Sequence, residues 1–179
     1  MKTRIFIICV EVILCINLSF AQEQGKFRGG FELGTIVPIE GKMGWLFSME
    51  VKYNFKDNMN VGFQTEFMGI IVDKNNSESL NMFSMSYDYY FHKRNKSFSP
   101  FIGGGLGYYF CNDYDAGQEI RTGYNNPACF IRAGFEIEKF RISLKYNVIR
   151  KSSAESYIRN SDYVALNIGF YIGGGKWKK

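Results

Sequence analysis

Chemistry on a substrate would need a nucleophile, a base and a group that orients the base, all within reach of one another. The chain supplies little of this. His92 is its sole histidine in 179 residues. It stands beside Lys93 and Arg94 in a short connector, where a solvated turn residue is the simpler reading. No His or Cys spacing matches a metal centre. Asp113 and Asp115, in "CNDYDAGQE", could bind calcium loosely, although acids are common in loops. The expectation is therefore no catalytic residue, no cofactor, no metal ligand and no enzyme. Cys111 and Cys129 flank the longest expected loop and are candidates for a disulfide in an oxidising compartment. Strict alternation puts Cys111 inward and Cys129 outward, so only a bulge would bring them together.

The remaining reactive types are charges, and their spacing is regular. Arg28, Glu32, Glu50, Lys52, Glu66, Arg132, Glu136, Arg141 and Lys145 each fall on the polar side of a stretch that alternates polar with apolar. Trp45 to Phe55 is the clearest case. Trp45, Phe47, Met49, Val51, Tyr53 and Phe55 alternate with Ser48, Glu50, Lys52 and Asn54. A period of two is that of a β-strand with distinct faces. It recurs in Phe27–Val37, Met59–Ile71, Phe83–Phe91, Ile102–Phe110, Cys129–Ile137, Phe140–Val148 and Val164–Ile172, which makes eight strands. No segment after Gln22 sustains a helical period. Short connectors (Lys56-Asp57-Asn58, His92 to Ser97, Glu138-Lys139) alternate with longer polar ones (Asp73–Ser79, Asp113–Asn126, Arg150–Asp162). That order spells an up-and-down sheet with short turns at one end and longer loops at the other.

Ahead of the strands stands "MKTRIFIICVEVILCINLSFAQ". Lys2 and Arg4 form a basic start, Ile5 to Leu18 an apolar run, and Ser19-Phe20-Ala21 a small-residue cleavage signal. Residues 1–21 are expected to be a cleaved signal peptide and 22–179 a single barrel domain, with strands over about 25–172 and a tail at 173–179. Cleavage would lower the formal charge from +5 to +4, because it removes two basic groups and one acid. The remaining basic clusters, His92-Lys93-Arg94 and Lys176-Trp177-Lys178-Lys179, are too short to mark a nucleic-acid partner.

Alternation fits two inverse objects. A soluble carrier barrel turns its apolar face inward around a ligand, and an outer-membrane barrel turns it outward to lipid. Volume favours the second. An eight-stranded barrel has an interior just wide enough to be filled by side chains. The apolar face is mostly Phe, Tyr, Trp, Met, Leu and Ile, too bulky to converge on one axis. The polar face is rich in small residues, including Gly30, Gly34, Gly62, Ser84, Ser86, Gly134 and Ser143. In "FSPFIGGGLGYYF", Gly103, Gly105 and Gly107 would form a notch in the inner wall, making room for long polar side chains from other strands. The nine charged residues would then form an ion-paired network in the lumen, since an unpaired buried charge is costly. Aromatic residues collect near the strand ends: Tyr53, Phe55, Tyr89, Phe91 and Phe98 at the short-turn end, Trp45, Tyr108 and Phe110 at the other. These are the expected interfacial girdles.

With its leader, its "SPFIGGGLGYYF" strand and its final "YVALNIGFYI", the chain resembles the small outer-membrane β-barrel family, the OmpA/OmpX-like eight-stranded barrels of Gram-negative bacteria. The resemblance spans roughly Gly25 to Ile172. It implies an eight-stranded antiparallel transmembrane barrel in the bacterial outer membrane, with short periplasmic turns and longer extracellular loops. It also implies outer-membrane lipid around the wall, and recognition of the C-terminal strand by the barrel-assembly machinery. Val164, Leu166, Ile168 and Phe170 resemble that terminal signal, which usually stops at the aromatic residue, whereas here Tyr171 to Lys179 follow. The expected function is a structural or surface-interaction role with an unidentified extracellular partner at the loops. A narrow porin-like channel or conduit for small molecules is the alternative.

Overall fold

The computed structural model describes residues 23–39, 43–71, 76–91, 98–115, 121–149 and 162–174. They form eight strands: β1 Phe27–Pro38, β2 Gly44–Lys56, β3 Met59–Ile71, β4 Asn76–Tyr90, β5 Phe98–Asp115, β6 Arg121–Ile137, β7 Phe140–Ile149 and β8 Tyr163–Gly173. Each pairs antiparallel with its neighbours in sequence. β1 closes on β8 from Arg28↔Gly173 to Pro38↔Tyr163, so the sheet is a closed barrel without an open edge around its middle. All eight alternating segments of the sequence lie within these strands, except that Phe91 falls one residue beyond β4. The leader (1–21), His92 with Lys93 and Arg94, and most of the C-terminal tail lie outside the described residues.

Two-residue turns at Asp57-Asn58 and Glu138-Lys139 mark one end of the barrel, called here the turn end. Glu138 takes a left-handed φ of 56° there, the kind of backbone that lets a tight hairpin turn match the twist of its strands. Residues before β1 are tied into the same end. The Gly25 amide donates to the Asn54 carbonyl (2.7 Å), and the Gln24 amide to Asp57 Oδ1 (2.9 Å).

The opposite, loop end differs from expectation. Asp113–Asn126 is not one long loop, because Asp113 pairs with Thr122 and Tyr114 with Arg121 in the β5–β6 ladder. Asp113 and Asp115 therefore lie in a strand, not in a loop. β4 likewise begins at Asn76, inside the expected Asp73–Ser79 loop. Polar residues replace the apolar–polar alternation in these stretches, so the periodic signal stops while backbone pairing continues.

The barrel is apolar outside and polar inside over most of its height. Leu33, Trp45, Met85, Leu106, Ile131 and Ile168 are all exposed, Leu106 at 72% and Met85 at 69%. A continuous wall of this kind is stable against hydrocarbon, where every backbone group is satisfied within the closed sheet. Aromatic pairs ring both ends. Phe27–Tyr53 (4.9 Å between centroids), Tyr89–Phe91 (4.9 Å) and Phe98–Phe135 (5.2 Å) lie at the turn end, and Tyr108–Phe110 (5.4 Å) at the loop end. From Trp45 to Phe55 the strand takes ten steps of about 3.4 Å. At a tilt of about 40° this is roughly 26 Å of height, the thickness of an outer-membrane apolar band.

Candidate functional site

The lumen is the only place where the described residues concentrate buried charge. Inward positions follow from strand parity: even numbers on β1–β4 and β6, odd numbers on β5, β7 and β8. All nine charged residues expected from the sequence are buried there, and Asp88 joins them. Asp88 stands on the polar side of β4 beside Ser84 and Ser86, but it was not among the nine. With it the buried set balances, with Arg28, Lys52, Arg132, Arg141 and Lys145 against Glu32, Glu50, Glu66, Asp88 and Glu136.

Asp88 is the hub. Arg132 grips it as a fork, with Nε 2.8 Å from Oδ1 and Nη2 2.9 Å from Oδ2. Lys52 Nζ donates to Oδ2 at 2.6 Å and Arg141 Nη2 at 3.2 Å. Glu50 carries the next share. It accepts from Arg132 Nη2 (2.7 Å) and Ser86 Oγ (2.6 Å), and lies 3.2 Å from Lys52 Nζ. The Tyr171 hydroxyl lies 2.7 Å from Glu32 Oε1 and 2.6 Å from Glu50 Oε2, bridging the two carboxylates. Nearest the turn end, Glu136 accepts from Arg28 Nη1 (2.9 Å) and Tyr90 (2.8 Å). The Arg141 guanidinium also lies over the Phe101 ring, 3.8 Å from its centroid. A second, smaller group stands apart: Lys145 Nζ donates to Glu66 Oε1 at 2.5 Å and lies 3.9 Å from the centre of the Phe130 ring. Tyr163 reaches Glu66 Oε2 at 3.4 Å and shares a short hydrogen bond with Tyr109.

β5 and β8 contribute no charge to this network, although β8 lends it the Tyr163 and Tyr171 hydroxyls. The inner face of β5 runs Ser99, Phe101, Gly103, Gly105, Gly107, and the glycines are occupied by neighbours. A Cβ on Gly103 would run into the Asp88 carboxylate and lie 2.6 Å from the Tyr87 carbonyl oxygen. One on Gly105 would meet the Phe130 ring at 2.6 Å, and one on Gly107 the Met82 methyl at 2.5 Å. The notch thus admits one polar side chain and two apolar ones, where the sequence suggested polar side chains throughout.

Those two apolar occupants belong to a layer that sequence reasoning missed. Toward the loop end the inner face turns apolar on every strand. Ile36, Leu46, Met68 and Met82 come from β1–β4, and Tyr109, Phe130, Ile149 and Ala165 from β5–β8, in one buried cluster. Parity could have found it, since these positions continue the inward rows, but an apolar residue there interrupts the polar pattern used to trace the face.

The candidate disulfide is not formed. Cys129 pairs with Leu106 and Cys111 with Tyr124, five positions apart along the same ladder. At about 3.4 Å per residue that is roughly 17 Å, against a bridging limit of about 7 Å between Cα atoms. Cys129 is a free thiol on the outer face.

A closed eight-stranded antiparallel barrel with an apolar wall and a charge-filled interior is the fold of the small outer-membrane barrels. The chain is similar in structure to Neisserial surface protein A, with a TM-score of 0.68 and 12% identity over 83% of this chain and 97% of that one. It is similar also to the N-terminal β-barrel domain of Pseudomonas aeruginosa OprF (TM-score 0.56, 15% identity, 84% and 100% covered). A third likeness is to Ail, the attachment invasion locus protein of Yersinia pestis (0.51, 14%, 84% and 99%). At these identities the likeness establishes the fold. No protein-family model matches the sequence, and no curated protein matches it in sequence.

Proposed function

We propose that the protein is a surface-interaction or structural barrel of a bacterial outer membrane, exported by a leader at residues 1–21 and closed to solutes. The observation that carries this reading is the filled, charge-balanced lumen within a lipid-compatible wall. Five cations and five acids lock one another across six of the eight strands, and such a packed interior does not readily serve as an aqueous path. The turn end then faces the periplasm and the β4–β5–β6 ladders rise toward the exterior, where a partner would be met. Two of the similar structures carry names that speak of a surface protein and of attachment, which agrees with this assignment. The wall would contact outer-membrane lipid, and β8, with Val164, Leu166, Ile168 and Phe170, would be read by the barrel-assembly machinery.

The test is an epitope inserted after Gly117 and probed on intact cells, alongside gel migration of the membrane fraction with and without boiling. Surface labelling together with a boiling-dependent shift is expected. Labelling only after lysis would reverse the orientation. Recovery in the soluble periplasmic fraction, with no shift, would overturn the membrane reading. Discrete conductance steps from the purified barrel would favour the narrow-channel alternative.

A further inference from the structure

We infer that the permeability seal of this barrel is the apolar layer at its loop end, and that the ionic network is not the seal. The inference rests on the closed-barrel reading and deepens it.

Three observations lead there. First, the apolar layer is circumferential. Every one of the eight strands places at least one apolar or aromatic side chain in it, and the polar groups at that level are few, with the Tyr109 hydroxyl joined to Asn147 and Tyr163, and Tyr163 to Glu66. Ile36, Met82 and Ala165 have no solvent exposure, and Leu46, Tyr109 and Tyr163 have 1%.

Second, the ionic layer is not circumferential. β5 faces it with glycines, and β8 brings it no charged side chain. Buried polar atoms without a hydrogen-bond partner among the described residues are more numerous there, with both side-chain polar atoms of Asn60 and Asn167 and Ser143 Oγ, than at the apolar level, where Asn126 Nδ2 and Asn147 Nδ2 are of this kind. Buried groups of this kind are the usual anchors of internal water. A polar layer that holds water can pass ions or protons when its side chains move, whereas a filled apolar layer excludes both.

Third, the junction between the layers is built from contacts that fix the apolar side. Phe130 is pressed into the space above Gly105 and carries the Lys145 ammonium on its face. Met82 fills the space above Gly107. The glycines of β5 therefore serve both layers, letting Asp88 into the network and letting Phe130 and Met82 close the septum.

The experiment is single-channel recording in planar phospholipid bilayers on three full-length mature proteins, each first shown to give the boiling-dependent gel shift. They are the wild type, Met68→Ser with Met82→Ser, and Glu66→Gln with Lys145→Met. The expected result is no resolvable steps from the wild type or the charge-pair variant, and discrete steps from the serine variant. Steps from the wild type would sink the closed-barrel reading itself. A silent wild type with a silent, folded serine variant would overturn the seal inference alone, as would steps from the charge-pair variant only. Should the double serine variant not fold, Leu46→Ser in the same layer is read by the same criteria.

Discussion

Asp88→Asn tests whether the lumen is held together by charge balance about one residue. The substitution keeps the side chain's shape, removes its charge and turns one acceptor oxygen into a donor facing cations. Asp88 receives four N–H donations from Lys52, Arg132 and Arg141, between 2.6 and 3.2 Å, and is fully buried. The buried set would change from five cations against five acids to five against four, away from bulk solvent. Breaking a buried ion pair from one side costs about 3–5 kcal/mol. With a urea slope of about 2 kcal/mol/M, that is a fall of about 1.5–2.5 M in the unfolding midpoint. The assay is urea unfolding of the barrel in phospholipid vesicles, read by tryptophan fluorescence and by the heat-sensitive gel band. Adding Lys52→Met restores four against four and removes a direct partner. The double variant should recover more than about 1 kcal/mol relative to the sum of the single effects, as coupled neighbours do. A midpoint shift below about 0.5 M for Asp88→Asn, or strict additivity in the double variant, would refute the reasoning.

Two further outcomes are expected. Gly103→Ala drives a methyl group against the Asp88 carboxylate and the Tyr87 carbonyl, and should cost about 1–3 kcal/mol as overpacking. Gly29→Ala, whose Cβ would meet nothing within 4 Å, should stay within about 0.5 kcal/mol; urea midpoints of the pair measured side by side check the contrast. The purified protein should run identically on gels with and without reductant and should retain a titratable thiol after exposure to mild oxidant, because the β5–β6 register holds Cys111 and Cys129 five positions apart. A faster non-reduced band would mean that this register is wrong.

Strand number, the closed up-and-down order and the direction of each face were legible in the sequence, because they rest on local properties. Successive side chains of a strand point to opposite faces, so alternation such as Trp45 to Phe55 declares a two-faced strand without knowledge of its partners. The volume of the apolar side chains then decides which face is outside. The loop-end ladders were not legible, since Asn76–Ser79 and Arg121–Asn126 pair through backbone groups that leave no mark in hydropathy. Nor was the apolar septum, whose members appear in each strand as one or two ordinary hydrophobic residues.

Which inward residues meet was decided by the tertiary structure alone. Arg28 and Glu136 are 108 positions apart, and Tyr171 bridges to Glu32 across 139. Their meeting depends on strand tilt and stagger around the closed sheet, which set the height of every inward row. Asp88 shows the division most clearly. Parity turned it inward, but only the closed barrel puts Lys52, Arg132 and Arg141, from three other strands, around its carboxylate.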